Sequence, residues 1–309
     1  MNNELCMRRF GLIGYPLEHS LSVPLHRAAF QSLGIAADYS LFTIQPLPEG
    51  EKDLLALLDQ MRNGELQGLN ITIPHKEKVI PFLDKLTPTA QAISAVNTLF
   101  IKDGHLFGDN TDAPGFLCDL YHHYPEFNTS VQLRNKTRRA LILGAGGAAR
   151  AVLFALANAG WVVWVAARRV EQARNLIASM DFSSSSKKNV SIRYDLPLTP
   201  KSIYPLLDDL DLIINATPVG MFPKIDDNPW LLDLDLPKKA FIYDLVYNPS
   251  ETLFVKQAHK SGLPAVTGLG MLVEQAALAD ERWLGLSPAR GEMIAAIPNH
   301  LRGTYLYEA

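Results

Sequence analysis

Apolar and polar positions along the chain repeat at two periods, and the switches between them divide it into elements. RFGLIG (residues 9–14) is a short apolar run ending in glycine, and ADYSLFTI (37–44) alternates, so both predict strands. Between them, SVPLHRAAFQSLG (22–34) carries its apolar residues at helical spacing, with Ser22 as the expected cap and Gly34 as the stop. EKDLLALLDQM (51–61) has the same helical period. GLNITI (68–73) predicts a strand running into Pro74, a residue suited to the first turn of a helix. NTLFIKDGHLFGDN (97–110) predicts a hairpin turning on Asp103-Gly104, a pair that tolerates the positive φ angles of a tight turn. The first 110 residues therefore alternate strand and helix without any phosphate-binding loop.

A helix is expected from about Asp112, followed by a linker of mixed polarity, HHYPEFNTSVQLRNK (122–136). Beyond it the texture changes. RALIL (139–143), GAGGAARAVLFALANAG (144–160) and WVVWVAA (161–167) read as strand, glycine turn, helix and strand. That succession within about 30 residues is a βαβ unit, whose crossover helix implies parallel strands. DLIINAT (211–217) and AFIYDLV (240–246) are continuous apolar strands, the pattern expected when helices cover both sheet faces. FSSSSKKN (182–189) reads as a loop tip, GMLVEQAALADERWLG (270–285) as an amphipathic helix, and SPARGEMIAAI (287–297) as a last helical segment.

Composition narrows the function classes. The chain has 309 residues, 48% of them hydrophobic, enough for one or two packed cores. With 29 basic and 32 acidic residues its net charge is -3, which gives no general electrostatic reason to hold nucleic acid or an acidic membrane. The densest basic cluster, RNKTRR (134–139), reads as a solvated edge. Cys6 and Cys118 have neither metal spacing nor a disulfide framework and are expected as thiols in a reducing compartment. The N-terminus lacks the order of a signal peptide, and the apolar region 140–167 is broken by Arg150, Asn158 and several glycines. A cytoplasmic protein is expected. The eight histidines show no ligand spacing and no nucleoside-triphosphate loop occurs, so neither metal nor ATP chemistry is expected.

The glycine turn carries chemistry. GAGGAA (144–149) fits G-x-G-x-x-[G/A] through Gly144, Gly146 and Ala149, after a strand and at the start of a helix. Without side chains there, backbone N–H groups and a helix N-terminus can meet a pyrophosphate. An NAD site usually ends its second strand on a carboxylate that binds the ribose diol. This chain has Arg168 and Arg169 instead, groups suited to a 2′-phosphate, although Glu171 offsets part of their charge. NADP is the expected cofactor.

Several further stretches are specific. GYPLEHSLS (14–22), GLNITIPHK (68–76), AVNTL (95–99), GDNTDAPG (108–115), GAGGAARA (144–151), NATPVGM (215–221), DLVYNP (244–249) and GMLVEQA (270–276) occur in this order. Together they make the chain similar to the shikimate dehydrogenase family over nearly its whole length. The resemblance implies an α/β chain of two domains, a mixed α/β substrate-binding domain and a Rossmann-like, parallel-sheet cofactor domain. The expected bounds are 1–113 and 114–268, with 269–309 as C-terminal helices returning to the substrate domain across a cleft.

Carried over by motif, the resemblance implies that Ser20 and Ser22 bind the substrate carboxylate, with Tyr247 nearby. Thr72, Lys76, Asn97, Asp112 and Gln275 would surround the ring hydroxyls. Gly144, Ala145, Gly146, Gly147 and Ala148 would hold pyrophosphate, and Arg168 and Arg169 the adenosine end. Thr217 and Val219 would approach the nicotinamide ribose, and Met221, Gly268 and Met271 the ring, although the two methionines equally suit core filling. The implied reaction is reversible reduction of 3-dehydroshikimate to shikimate, on the route to chorismate and aromatic amino acids. Lys76 can give a proton to the oxygen as its charge develops, and Asp112 can hold the lysine and the substrate hydroxyl. Asn70 is expected to stabilise its own loop, and Pro74 to fix the turn that delivers Lys76.

The chain also departs from the family pattern. Val23, Arg27 and Ser94 stand where the family often has proline, asparagine and glycine, and Ala167-Arg168-Arg169 where it commonly has N-R-T. Asp280 occupies a place that tends to be aromatic. Two other functions remain open at this point: a quinate/shikimate dehydrogenase using NAD, and a non-catalytic dinucleotide sensor. The intact Lys76, Asn97, Asp112 and Gln275 argue against the sensor. Monomer and homodimer are both compatible with the sequence.

Overall fold

The computed structural model describes residues 7–128, 137–182 and 193–303. They fall into two compact units, one of residues 7–111 with 273–298, the other of the described residues in 112–272 with 299–303.

The first unit contains β1 (Arg8–Gly14), α1 (Ser22–Ser32), β2 (Ala37–Thr43), α2 (Glu51–Arg62), β3 (Gly68–Ile71), β4 (Lys85–Leu86), α3 (Pro88–Ile93), β5 (Thr98–Lys102) and β6 (His105–Asp109). The sheet order is β2-β1-β3-β5-β6-β4, with β1 parallel to β2 and β3 and the β5–β6 hairpin antiparallel. Successive residues of β1 point to opposite faces. Ile13 joins Leu69, Ile71 and Leu99 under the apolar side of α2, that is Leu54, Leu57, Leu58 and Met61. Phe10 and Leu12 pack with Phe30, Tyr39 and Trp283 on the other. The hairpin turns on Asp103 (φ 51°) and Gly104 (φ 73°), both left-handed as the Asp-Gly pair predicted.

Two expectations fail here for tertiary reasons. No helix follows Pro74: β3 ends at Ile71, the chain turns as His75 N–H donates to the Thr72 carbonyl (2.9 Å), and only a short 3-10 segment, Ile80–Phe82, follows. The buried His75 ring, 2.9 Å from the Ile44 carbonyl oxygen, anchors this segment through a side chain rather than a continued helical ladder. Ser22 does not cap α1 either. It is the first helical residue, and its N–H donates to the Ser20 hydroxyl oxygen (3.2 Å).

The second unit runs through α4 (Asp112–His123), β7 (Arg139–Leu143), α5 (Gly147–Asn158), β8 (Val162–Ala167), α6 (Val170–Ala178), β9 (Arg193–Pro197), α7 (Pro200–Ile203), β10 (Leu212–Asn215), β11 (Phe241–Asp244), α8 (Leu253–Lys260) and β12 (Ala265–Thr267). The last elements of the chain are α9 (Leu269–Leu284), α10 (Arg290–Ala295) and α11 (Asn299–Arg302). All six strands of the second sheet are parallel, in the order β12-β11-β10-β7-β8-β9. The order reverses between β7 and β10, the point outside whose carboxyl ends such sheets bind ligands. Every residue of β10 and β11 is buried, as the uninterrupted apolar runs predicted.

The basic cluster is not a plain solvated edge. Arg138 is buried, its guanidinium lying over the rings of Phe127 (5.1 Å) and Trp161 (5.5 Å) and donating to the carbonyls of Glu126 and Phe127. Arg139 pairs with Asp209. The rest of that cluster (134–136), most of the 122–136 linker, all of FSSSSKKN but Phe182, and Cys6 lie outside the described residues. Cys118 is exposed. Among the described residues no helix is long and apolar enough to cross a membrane.

Candidate active site

In the first unit, chain segments far apart in sequence converge on one polar network. Gly14 lets the 14–22 loop approach the 68–76 turn, because a Cβ there would sit 2.3 Å from Thr72 Cγ2. Tyr15 N–H donates to the Ile73 carbonyl (2.9 Å) and Thr72 N–H to that of Ile13 (2.8 Å), which locks the two loops together. Ser20 and Ser22 are half-buried on one, Thr72 and Lys76 half-buried on the other. The Lys76 carbonyl accepts from Val96 N–H (2.8 Å), fixing that turn to the AVNT stretch.

Asn97 is the centre of the network. Its Nδ2 donates to Thr111 Oγ1 (2.9 Å) and to Gln275 Oε1 (3.4 Å), and its Oδ1 accepts from Thr111 N–H (2.8 Å) and Thr98 Oγ1 (2.9 Å). Thr111 Oγ1 in turn donates to the Gln275 carbonyl (2.9 Å). Asn70, expected to serve its own loop, instead donates from Nδ2 to the Asn97 carbonyl (3.1 Å) and Thr98 Oγ1 (3.2 Å). Its Oδ1 accepts from the Tyr39 hydroxyl (2.7 Å). Asn70, Asn97, Thr98 and Thr111 are all buried. Leaving one such group unpaired would cost about 1–3 kcal/mol, so each holds its neighbours in one arrangement. Tyr39, Thr98 and Thr111 were not singled out from sequence, although both threonines lie inside quoted motifs.

The second unit carries Asp112, Tyr247 and all the nucleotide-side residues. Asp112 is buried in the first turn of α4, where the helix dipole favours a carboxylate. Tyr247 is half-buried, and desolvation pushes its phenol up.

The glycine turn has the form a pyrophosphate needs. Gly144 has φ +102°, and a Cβ on it would lie 2.6 Å from Thr217 Cγ2. Gly146 caps α5 in an extended conformation without a side-chain acceptor. A Cβ on Gly146 or Gly147 would meet nothing within 4 Å, so with Ala145 and Ala148 they leave the first-turn N–H groups of α5 accessible. Arg168 and Arg169 follow β8 and are exposed.

The neighbouring loop is held by buried polar groups. Asn215 Oδ1 accepts from Thr217 Oγ1 (2.6 Å) and N–H (3.0 Å), while its Nδ2 donates to the Val219 carbonyl (3.2 Å) and to Asp244 Oδ1 (2.7 Å). Asp244 also accepts from Thr252 Oγ1 (2.7 Å) and Val246 N–H (3.1 Å). Burial nevertheless raises its carboxyl to about 6. Met221 is exposed and Met271 buried. Gly268 is pressed against the Leu245 backbone, with 2.4 Å from a hypothetical Cβ to its oxygen. Asn215 and Asp244 are further residues that sequence reasoning left unassigned.

Comparison with known proteins gives the family of the chain. The shikimate dehydrogenase substrate binding domain matches residues 12–99, and the Shikimate 5'-dehydrogenase C-terminal domain matches residues 268–297. A shikimate dehydrogenase (NADP(+)) of Carboxydothermus hydrogenoformans is 38% identical over 287 residues, spanning 93% of this chain and 95% of that protein. The chain belongs to the shikimate dehydrogenase family. Among solved members, the Thermus thermophilus shikimate 5-dehydrogenase in complex with NADP(H) and shikimate is similar at 38% identity and TM-score 0.76, over 94% of this chain and 98% of that one. The quinate dehydrogenase of Corynebacterium glutamicum in complex with NAD aligns at 29% identity and TM-score 0.80, over 94% and 98%.

The departure at Asp280, without a physical account in the sequence, has one in the structure of this family member. Asp280 Oδ1 lies 2.7 Å from Nδ1 of His26, and both side chains are buried.

Proposed function

We propose that the chain catalyses the reversible NADP-dependent reduction of 3-dehydroshikimate to shikimate, in biosynthesis of chorismate and aromatic amino acids. The observation that carries this reading is the network that joins buried Asn97 and Thr111 to half-buried Gln275, across as many as 178 sequence positions, beside the Ser20–Ser22 and Thr72–Lys76 loops. A ligand rich in hydroxyls and bearing one carboxylate requires that many fixed polar partners, because each hydroxyl left unpaired loses affinity. In this reading residues 1–113 serve the substrate, 114–268 the cofactor, and 269–309 return to the substrate side.

Bound NADPH supplies the hydride for the carbonyl carbon. Lys76 donates a proton to the oxygen as it gains charge and takes it back in the reverse direction. Asp112 holds the lysine and the neighbouring hydroxyl. Ser20 and Ser22, with Tyr247, bind the carboxylate, and Thr72, Asn97 and Gln275 fix the ring. Gly144 to Ala148 receive the pyrophosphate, Arg168 and Arg169 the 2′-phosphate, and Thr217, Val219, Met221, Gly268 and Met271 the nicotinamide side.

A second reading, quinate oxidation with NAD, is favoured by the likeness to the Corynebacterium quinate dehydrogenase. Steady-state rates for shikimate and quinate, each with NADP and NAD, decide between them. The highest kcat/KM should belong to shikimate with NADP. Preference for quinate with NAD would overturn the assignment, and no turnover of any pair would favour a dinucleotide sensor. The enzyme is placed in the cytoplasm, as monomer or homodimer, which sedimentation equilibrium distinguishes.

A further inference from the structure

One more buried carboxylate stands at the foot of the Asn97 network, outside the residues assigned to substrate. Asp109 ends β6, and its carbonyl accepts from Asn97 N–H (3.0 Å). The residue is only 4% exposed, so a charge left without partners there would be costly. Its Oδ1 accepts from Thr87 Oγ1 (2.5 Å) and from Asn110 N–H (2.8 Å). Its Oδ2 lies 2.6 Å from Nη2 of Arg282. The half-exposed Arg282 side chain also rests over Phe100, with the guanidinium carbon 5.3 Å from the ring centroid.

Arg282 and Gln275 are one heptad apart on α9, hence about 20° apart around its axis and on one face. Gln275 meets Asn97 and Thr111 at one end of that face, and Arg282 meets Asp109 at the other. The two ends are unequal. Asn97 Nδ2 reaches Gln275 Oε1 at 3.4 Å, a long hydrogen bond, whereas the ion pair is short and charge-assisted. Side-chain ends lie about 5–6 Å from a helix axis, so a roll of about 10° moves them by about 1 Å. That displacement breaks the longer contact and turns the Gln275 amide. Trp283 and Asp280 hold other flanks of the helix, through the Leu99 carbonyl and His26. Arg282 holds the face that carries Gln275.

We propose that Arg282 and Asp109 are positioning residues for the substrate ring, acting through Gln275 and Asn97. This deepens the shikimate reading and rests on it. Arg282→Met keeps an unbranched stem over Phe100 and removes the charge. It should raise the KM for shikimate about fivefold, the scale of one charge-assisted hydrogen bond, and leave kcat and the KM for NADP unchanged. Arg282→Lys restores a single charged donor and should stay within about twofold of the wild type. Because Arg282 works through Gln275, adding Arg282→Met to Gln275→Ala should raise KM little further, a non-additivity that a double-mutant cycle measures. Asp109→Asn should shift the shikimate KM in the same direction, and it replaces Arg282→Met as the test if that variant does not fold.

An unchanged shikimate KM in Arg282→Met would overturn the proposal. So would equal losses in kcat and both KM values together with a lower Tm, the mark of general loosening. Failure of Arg282→Lys to restore KM, or full additivity with Gln275→Ala, would do the same. If the wild type oxidises quinate instead, the same split is read with quinate. If it turns over neither, the functional proposal fails, and shikimate affinity by calorimetry reads the same variants. A weaker Kd in Arg282→Met then supports the positioning pair, and an equal Kd or no binding overturns it.

Discussion

The two sheets solve opposite problems. The first is mixed in direction and carries buried amides and hydroxyls, with Asn70, Asn97, Thr98 and Thr111 tied to one another across strands. The second is parallel, its central strands β10 and β11 apolar until the Asn215 and Asp244 that end them, and its candidate cofactor groups are backbone N–H at a helix start and two exposed arginines. Several hydroxyls at fixed angles require several side chains whose own freedom has been removed by neighbours. A pyrophosphate can be met by the geometry of a turn, and a phosphate monoester by charge at the surface. Specificity for the first kind of ligand is therefore spread over a network, and for the second concentrated in a few replaceable positions.

Substitutions sharpen or break this contrast. The largest effect is expected at Lys76, where Lys76→Ala should lower kcat by about 10²–10⁴-fold, the range of a lost general acid. A rise in KM alone, with kcat near normal, would make the lysine a binding group. Next is Asp244, beneath the loop of Thr217 and Val219. Its carboxyl is raised from 3.8 to about 6, so the folded state keeps a proton that the unfolded state has released between those values. Stability from this group is present below about pH 4 and is lost as pH rises through about 6, by about 3 kcal/mol in all. Denaturant unfolding of the wild type should show that decline relative to Asp244→Asn, and parallel profiles for both would remove it. On the nucleotide side, neutralising Arg168 and Arg169 together should raise the KM for NADP about tenfold while leaving that for NAD nearly unchanged. Equal shifts for both cofactors would break the contrast. Smallest is Ser20→Ala, expected to raise the KM for shikimate about threefold at constant kcat, since the carboxylate carries the same charge before and after hydride transfer.

Local signals were legible in the sequence. The Asp103-Gly104 turn, the βαβ unit around the glycine turn and the apolar strands β10 and β11 each depend on residues close together in the chain. The failures have a common source in contacts made from elsewhere. Pro74 suggested a helix, yet the neighbouring His75 is drawn to the Ile44 carbonyl. Arg138 looked solvated until Phe127 and Trp161 closed around it. Asn97 and Gln275 were each marked by a motif, but their hydrogen bond and the intermediary Thr111 exist only once the chain has folded. Asp280 shows the same limit: its partner lies 254 positions away.

One packing detail makes the two units optically separable. Of the four tryptophans, Trp161, Trp164 and Trp230 belong to the second unit, and Trp283 alone to the first. Its indole stacks on Phe10 at 4.9 Å, donates from Nε1 to the Leu99 carbonyl (2.9 Å), and occupies the space a Cβ on Gly68 would need. A variant with the other three changed to phenylalanine would carry a single red-edge-excited fluorophore seated against the sheet that holds Asn70 and the strand leading from Asn97. Its emission would follow melting of that sheet without interference from the nucleotide half, and any ligand that stiffens the sheet would register as a change in anisotropy decay.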